Sequence, residues 1–160
     1  MAKVAFVGFG EVNTPKEVLE RKCRAACQSL KEKLEIAAEV YPVTDDYEEK
    51  DVKDAIEKLK KADFDALIVC VAGWIPSHAV IKVTENFRHI PMALWGLCGW
   101  MEEGRLVTTA DQAGTSALRK TFEDLGYNFI YVYDIIGKKS RADRICGFCI
   151  AAHAARRLRS

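Results

Sequence analysis

Ala66-Leu67-Ile68-Val69-Cys70-Val71 is an apolar run rich in β-branched residues, entered from Asp65 and left through Ala72-Gly73-Trp74. A strand with no polar alternation needs cover on both faces, which is the condition inside a parallel sheet flanked by helices. Phe129-Ile130-Tyr131-Val132-Tyr133 reads the same way. Both are therefore expected to be central or near-central strands.

Working outward, further short apolar runs at 3–9, 38–43 and 91–95 join those at 65–72 and 128–134. Amphipathic segments alternate with them at 15–34, 49–61, 76–87, 112–125 and 140–158. This repeated βα pattern predicts a doubly wound, three-layer α/β domain of the flavodoxin-like kind, spanning 1–160 as one unit. Right-handed crossovers leave few arrangements, and the expected order is 2-1-3-4-5 with the first and last helices on one face. In the first helix, expected to open at Thr14-Pro15, the inward stripe is Leu19, Cys23, Cys27, Leu30 and Leu34. The second puts Val52, Ala55, Ile56 and Leu59 inward. The long stretch from Gly96 to Asp111 reads as a functional loop.

The 160 residues fit one core, and 49% hydrophobic with 29% charged residues is the balance of a globular domain rather than a disordered chain. Lys plus Arg number 24 against 23 Asp plus Glu, so the footprint of a nucleic-acid or anionic-membrane binder is missing. The run Ala66 to Ile75 ends at Pro76, short of a membrane span, and the N-terminal Val4-Ala5-Phe6-Val7 is too short for a signal peptide. A cytoplasmic protein with reduced thiols at its six cysteines is expected.

In such a sheet, ligands gather beyond the carboxyl ends of the strands. The residues delivered there are Gly8 to Asn13, then Gly73, Trp74, Ser77 and His78, then Trp95 to Glu103, and Asp134. Gly8-Phe9-Gly10-Glu11-Val12-Asn13 lacks the third glycine of a dinucleotide loop, and a turn needing glycine's φ freedom is the simpler reading. Neither a flavin-phosphate loop nor the clustered aspartates of a phosphorylation site are present. Cys146-Gly147-Phe148-Cys149 has redox spacing but falls inside a helical pattern, where packing is expected instead. Zinc held by Cys23, Cys27, Cys146 and Cys149 is a lesser alternative.

His78 stands at a helix start, where a neutral ring suits hydrogen bonding to a ligand. His89 and His153 have no partner at ligand spacing. The arginines 156, 157 and 159 suit the negative end of the last helix. Trp74, Trp95 and Trp100 all fall near the carboxyl ends of the third and fourth strands, where aromatic rings suit stacking on sugar faces or docking a partner. One of them, Trp95, is also the best candidate for simple interior packing.

Ala62-Asp63-Phe64-Asp65-Ala66-Leu67-Ile68-Val69-Cys70-Val71-Ala72-Gly73-Trp74, with Ile75-Pro76-Ser77-His78, resembles the third strand and aromatic loop of the L-fucose/L-arabinose isomerase-type sugar isomerases. Ile90-Pro91-Met92-Ala93-Leu94-Trp95-Gly96 and the segment Gly114 to Gly126 continue the likeness, which covers nearly the whole chain. The resemblance implies the N-terminal domain of a longer enzyme. In that family this domain helps close the sugar site of a neighbouring subunit, while later domains hold a divalent metal, usually manganese, for aldose–ketose isomerisation. It implies a chain that is not catalytic by itself and binds no cofactor. Its partners would be the remaining domains, neighbouring subunits of a homo-oligomer and a monosaccharide, met by Asn13, Trp74, His78, Trp95 and Trp100. The other reading is a free-standing flavodoxin-like module for small-molecule binding or interaction.

Overall fold

The computed structural model describes residues 1–107 and 111–159. Along the chain run β1 (Lys3–Phe9), α1 (Lys16–Gln28), β2 (Glu35–Val43), α2 (Lys50–Lys60), β3 (Ala66–Val71), α3 (Ser77–Thr84), β4 (Met92–Glu102), β5 (Arg105–Val107), α4 (Asp111–Asp124), β6 (Phe129–Ile136) and α5 (Ala142–Leu158).

Five strands form a parallel sheet in the order β2-β1-β3-β4-β6, the flavodoxin-like arrangement. Val4 pairs with Ala66, Leu67 with Met92, and Met92 with Phe129, so the strands start nearly level and their carboxyl ends share one edge. Alternate side chains serve opposite faces. Val4, Phe6, Ile68 and Cys70 pack with α1 and α5, whereas Ala5, Val7, Leu67 and Val69 pack with α2, α3 and α4. Helices one and five therefore share a face, as right-handed connections dictate. Among the described residues no helix is long and apolar enough to cross a membrane.

The inward stripe of α1 is buried as read, but the helix ends at Gln28 rather than at 34. Ser29 Oγ donates to the Ala26 carbonyl at 2.6 Å, and a series of short turns brings Leu30 and Leu34 into the core without further helix. Nor does Thr14 cap α1. Pro15 holds that position, and its carbonyl accepts the N–H groups of Val18 and Leu19.

Two further expectations change. β3 is central, but β6 lies at the sheet edge, with Val132 and Asp134 as its buried residues. The fourth strand does not stop at Trp95. β4 runs on to Glu102, kinks at Gly99 (φ 97°), and returns through Glu103 (φ 49°) and Gly104 (φ 76°) to β5. Two consecutive positive φ values match the twist of a tight hairpin, so most of the supposed loop is a β-hairpin continuing the sheet. Residues 108–110 of that stretch lie outside the described residues.

Candidate functional site

The segments leaving β1, β3, β4 and β6 build the carboxyl edge. Gly8 and Gly10 bring the first of these close to α1. A Cβ on Gly8 would stand 2.3 Å from Cys23 Sγ, and one on Gly10 would stand 2.3 Å from a Leu19 methyl. Neither glycine has a positive φ. Their role is close packing, not the conformational freedom expected from the sequence. Beyond them Val12 N–H donates to Asp45 Oδ1 at 2.9 Å, and Asn13 Nδ2 donates to Glu11 Oε1 at 3.1 Å. Asn13 is thus exposed on a loop pinned to the β2–α2 connection.

Trp74 is 38% exposed after β3. Its ring edge lies against α4, 3.2 Å from where a Cβ on Gly114 would stand, so the missing side chain at Gly114 seats the indole. His78, exposed in the first turn of α3, lines a cleft of about 180 Å³ with Asp45, Asp46, Tyr47 and Lys82. This cleft faces the β2–α2 connection, whereas Trp74 leans towards α4.

Trp95 is not on a loop. It points from β4 into the core under α1 and α5, only 2% exposed, and its indole N–H donates to Asp134 Oδ2 at 2.8 Å. Asp134 is itself 6% exposed and also accepts the Arg141 backbone N–H at 2.8 Å and Ser140 Oγ at 3.3 Å. The lone acid in an apolar strand is therefore a structural hub joining β4, β6 and the start of α5. Trp100 pairs through its backbone with Val107 and Ile136, and its side chain lies outside the described residues.

The four candidates with described side chains, Asn13, Trp74, His78 and Trp95, thus share an edge but not a pocket. Trp74 belongs to the α4 face, Trp95 to the α1 face, His78 to the first turn of α3 and Asn13 to the loop after β1, these last two beside Asp45. Sequence reading passed over Arg21, Lys22 and Lys138, which line a second pocket beside Trp95 and Asp134. Arg21 and Lys22 on α1 and Lys138 after β6 lie far apart in the sequence and carry no spacing signal. Only the fold draws them together.

The cysteines are packing residues. All six are buried and none is in a disulfide. Burial pushes Cys149 up to about 12, with help from Cys146 and Asp65 nearby, and Cys146 is raised by burial too. Both lie inside α5, away from any helix N-terminus that would favour a thiolate. Burial, with Glu39 beside it, pushes Cys27 up to about 12, and its thiol donates to Glu39 Oε2 at 3.2 Å. Among the described residues, no three His, Cys, Asp or Glu side chains converge as metal ligands.

Removing the Asp134 carboxylate strands a buried indole N–H and a backbone N–H, each worth about 1–3 kcal/mol when left unpaired. Asp134→Ala is expected to cost about 2 kcal/mol in urea unfolding, with Asp134→Asn recovering part of it. Equal stability of Asp134→Ala and the parent would refute the hub. Compared with known families and characterised proteins, the chain matches none.

Proposed function

We propose that this chain is the site-closing and assembly domain of a metal-dependent aldose–ketose isomerase of the L-fucose/L-arabinose type. One observation supports the assembly role. Val12, Tyr47, Trp74, Leu106 and Ile136 are large apolar side chains left exposed. Val12, Tyr47 and Trp74 follow β1, β2 and β3, Leu106 lies on the β5 return of the hairpin that continues β4, and Ile136 ends β6, so these apolar side chains fall at the carboxyl edge. Exposed apolar groups gathered on one edge suit a surface that another domain or subunit covers.

Within that edge Trp74 is the group suited to a sugar. It is half exposed, it is seated rigidly on Gly114, and its loop is the one that resembles the family's aromatic loop. A rigid indole loses little entropy on stacking against the apolar face of a pyranose or open-chain sugar. The metal, its acidic ligands and the proton-transferring groups would come from elsewhere in the enzyme, with this edge excluding water from them.

The test is ketose formation from L-fucose, L-arabinose and D-arabinose with manganese, comparing the full product of the reading frame with residues 1–160 alone. The full product is expected to isomerise at least one of these sugars, and the isolated residues none. In the full product Trp74→Ala is expected to raise KM about 2- to 12-fold, the equivalent of roughly 0.5–1.5 kcal/mol of aromatic contact. Metal-dependent ketose from residues 1–160 alone, or an unchanged KM in Trp74→Ala, would overturn this reading.

A further inference from the structure

The second pocket lies on the opposite side of the sheet from the Trp74 ring, between α1 and the segment joining β6 to α5. Its volume is about 420 Å³, within the range that takes small organic ligands. The walls are predominantly apolar, built from Ala25 and Ala26 of α1, Trp95 and Leu97 of β4, and Ile135 and Ile136 of β6. Around these stand the cations Arg21, Lys22 and Lys138, with Asp134 as the acid in the lining.

The charges are not equivalent. Asp134 is committed to the fold, its two oxygens accepting from the Trp95 indole, the Ser140 hydroxyl and the Arg141 N–H. Lys22 Nζ donates to the Ala72 carbonyl at 3.0 Å and so is held in place. Arg21 and Lys138 have no side-chain hydrogen bond or ion pair among the described residues. An apolar chamber flanked by two uncommitted cations complements a molecule with an apolar body and one anionic end.

We infer that this pocket binds an amphipathic organic anion, an aryl or medium-chain carboxylate, with its apolar body between α1 and Leu97 and its carboxylate at Arg21 and Lys138. A guanidinium favours a carboxylate through paired, charge-assisted hydrogen bonds. The apolar walls supply the binding of the body, and the cations select its charge. No residue of the Trp74 loop lines this site, and it meets the assembly edge proposed above only at Ile136.

Three probes with one ring system and different charges make the test: naphthaleneacetate, naphthaleneacetamide and naphthylethylamine. They are titrated into the protein while the indole N–H signal of Trp95 is followed in a proton–nitrogen correlation spectrum, assigned with Trp95→Phe. The acid is expected to shift that signal saturably and to bind at least about tenfold more tightly than the amide or the amine. Raising salt from about 50 to about 500 mM should narrow that preference, because the cations are at the surface. Arg21→Gln with Lys138→Gln should lower the acid's affinity to that of the amide. Ala25→Phe, a change at an exposed helix position, should block all three probes while the circular dichroism spectrum stays that of the parent. Equal affinity for the three probes, no shift of Trp95 by the acid up to about 10 mM, or undiminished binding in Ala25→Phe would overturn the inference.

Discussion

Gly8→Val is expected to destabilise the chain by at least about 3 kcal/mol, a large share of the roughly 5–15 kcal/mol that holds a domain together. The reason is a contact between layers. Gly8 lies in β1 between β2 and β3, and the space where its side chain would stand is filled by Cys23 Sγ at 2.3 Å, Tyr41 Cβ at 3.0 Å and Cys23 Cβ at 3.3 Å. Cys23 is wholly buried on α1, and Phe6 meets the Tyr41 ring edge-on, with centroids 5.8 Å apart. A side chain at Gly8 must therefore lift α1 from the sheet or push β2 sideways. Gly8→Ala should show the milder form, and Cys23→Ala should partly rescue it by removing the sulfur while leaving the 3.0 Å contact with Tyr41. The measurement is a double-mutant cycle in urea. Additive effects of Gly8→Ala and Cys23→Ala would rule out the proposed wedge.

That contact also shows where sequence reading stops. The apolar run Ala66 to Val71 and the strand–helix alternation were enough to read the topology, because cover on both faces and right-handed crossovers leave little choice. Stripe positions on α1 were legible for the same reason: periodicity reports which side is buried. The purpose of Gly8 and Gly10 was not legible. Glycine in a turn and glycine under a helix look alike until the distance to Cys23 and Leu19 is known.

Element ends were the weakest reading. Glu103-Gly104 was a hairpin signal, two residues with the second a glycine, between Met101-Glu102 and Arg105-Leu106. Length and an irregular pattern alone made the stretch from Gly96 to Asp111 read as loop. The candidate site was legible only as an edge. Topology placed Asn13, Trp74, His78 and Trp95 near the carboxyl ends, but it does not fix the face towards which each side chain turns. That choice is made by partners far along the chain: Gly114 for Trp74 and Asp134 for Trp95.

His153 is the sharpest instance, and it carries the remaining prediction. No acid stands at ligand spacing from it in sequence, yet its Nδ1 lies 2.8 Å from Asp65 Oδ2, 88 positions away. Asp65 is 7% exposed at the start of β3, where it also accepts the Lys3 backbone N–H at 2.9 Å and Arg156 Nη1 at 3.2 Å. Arg156 reaches on to Asp63 and to the Phe64 carbonyl, so the last turns of α5 are tied to the amino edge of the sheet. Burial pushes the Asp65 carboxyl up, but the bonds from Lys3, His153 and Arg156 prevail and hold it below its usual range. A depressed carboxyl stabilises the fold fully above its unfolded-chain value near about 3.9, and that contribution fades as the pH falls through the lower native value. Asp65→Ala is expected to cost about 3 kcal/mol at neutral pH, since it leaves the Lys3 N–H without its acceptor and His153 and Arg156 without their buried acid. Asp65→Asn should keep the shape, retain part of the stability, and flatten the loss seen in the parent below about pH 4. Chemical unfolding from neutral to acid pH measures both effects. A parent curve no steeper below about pH 4 than that of Asp65→Asn would show that this carboxylate does not anchor α5.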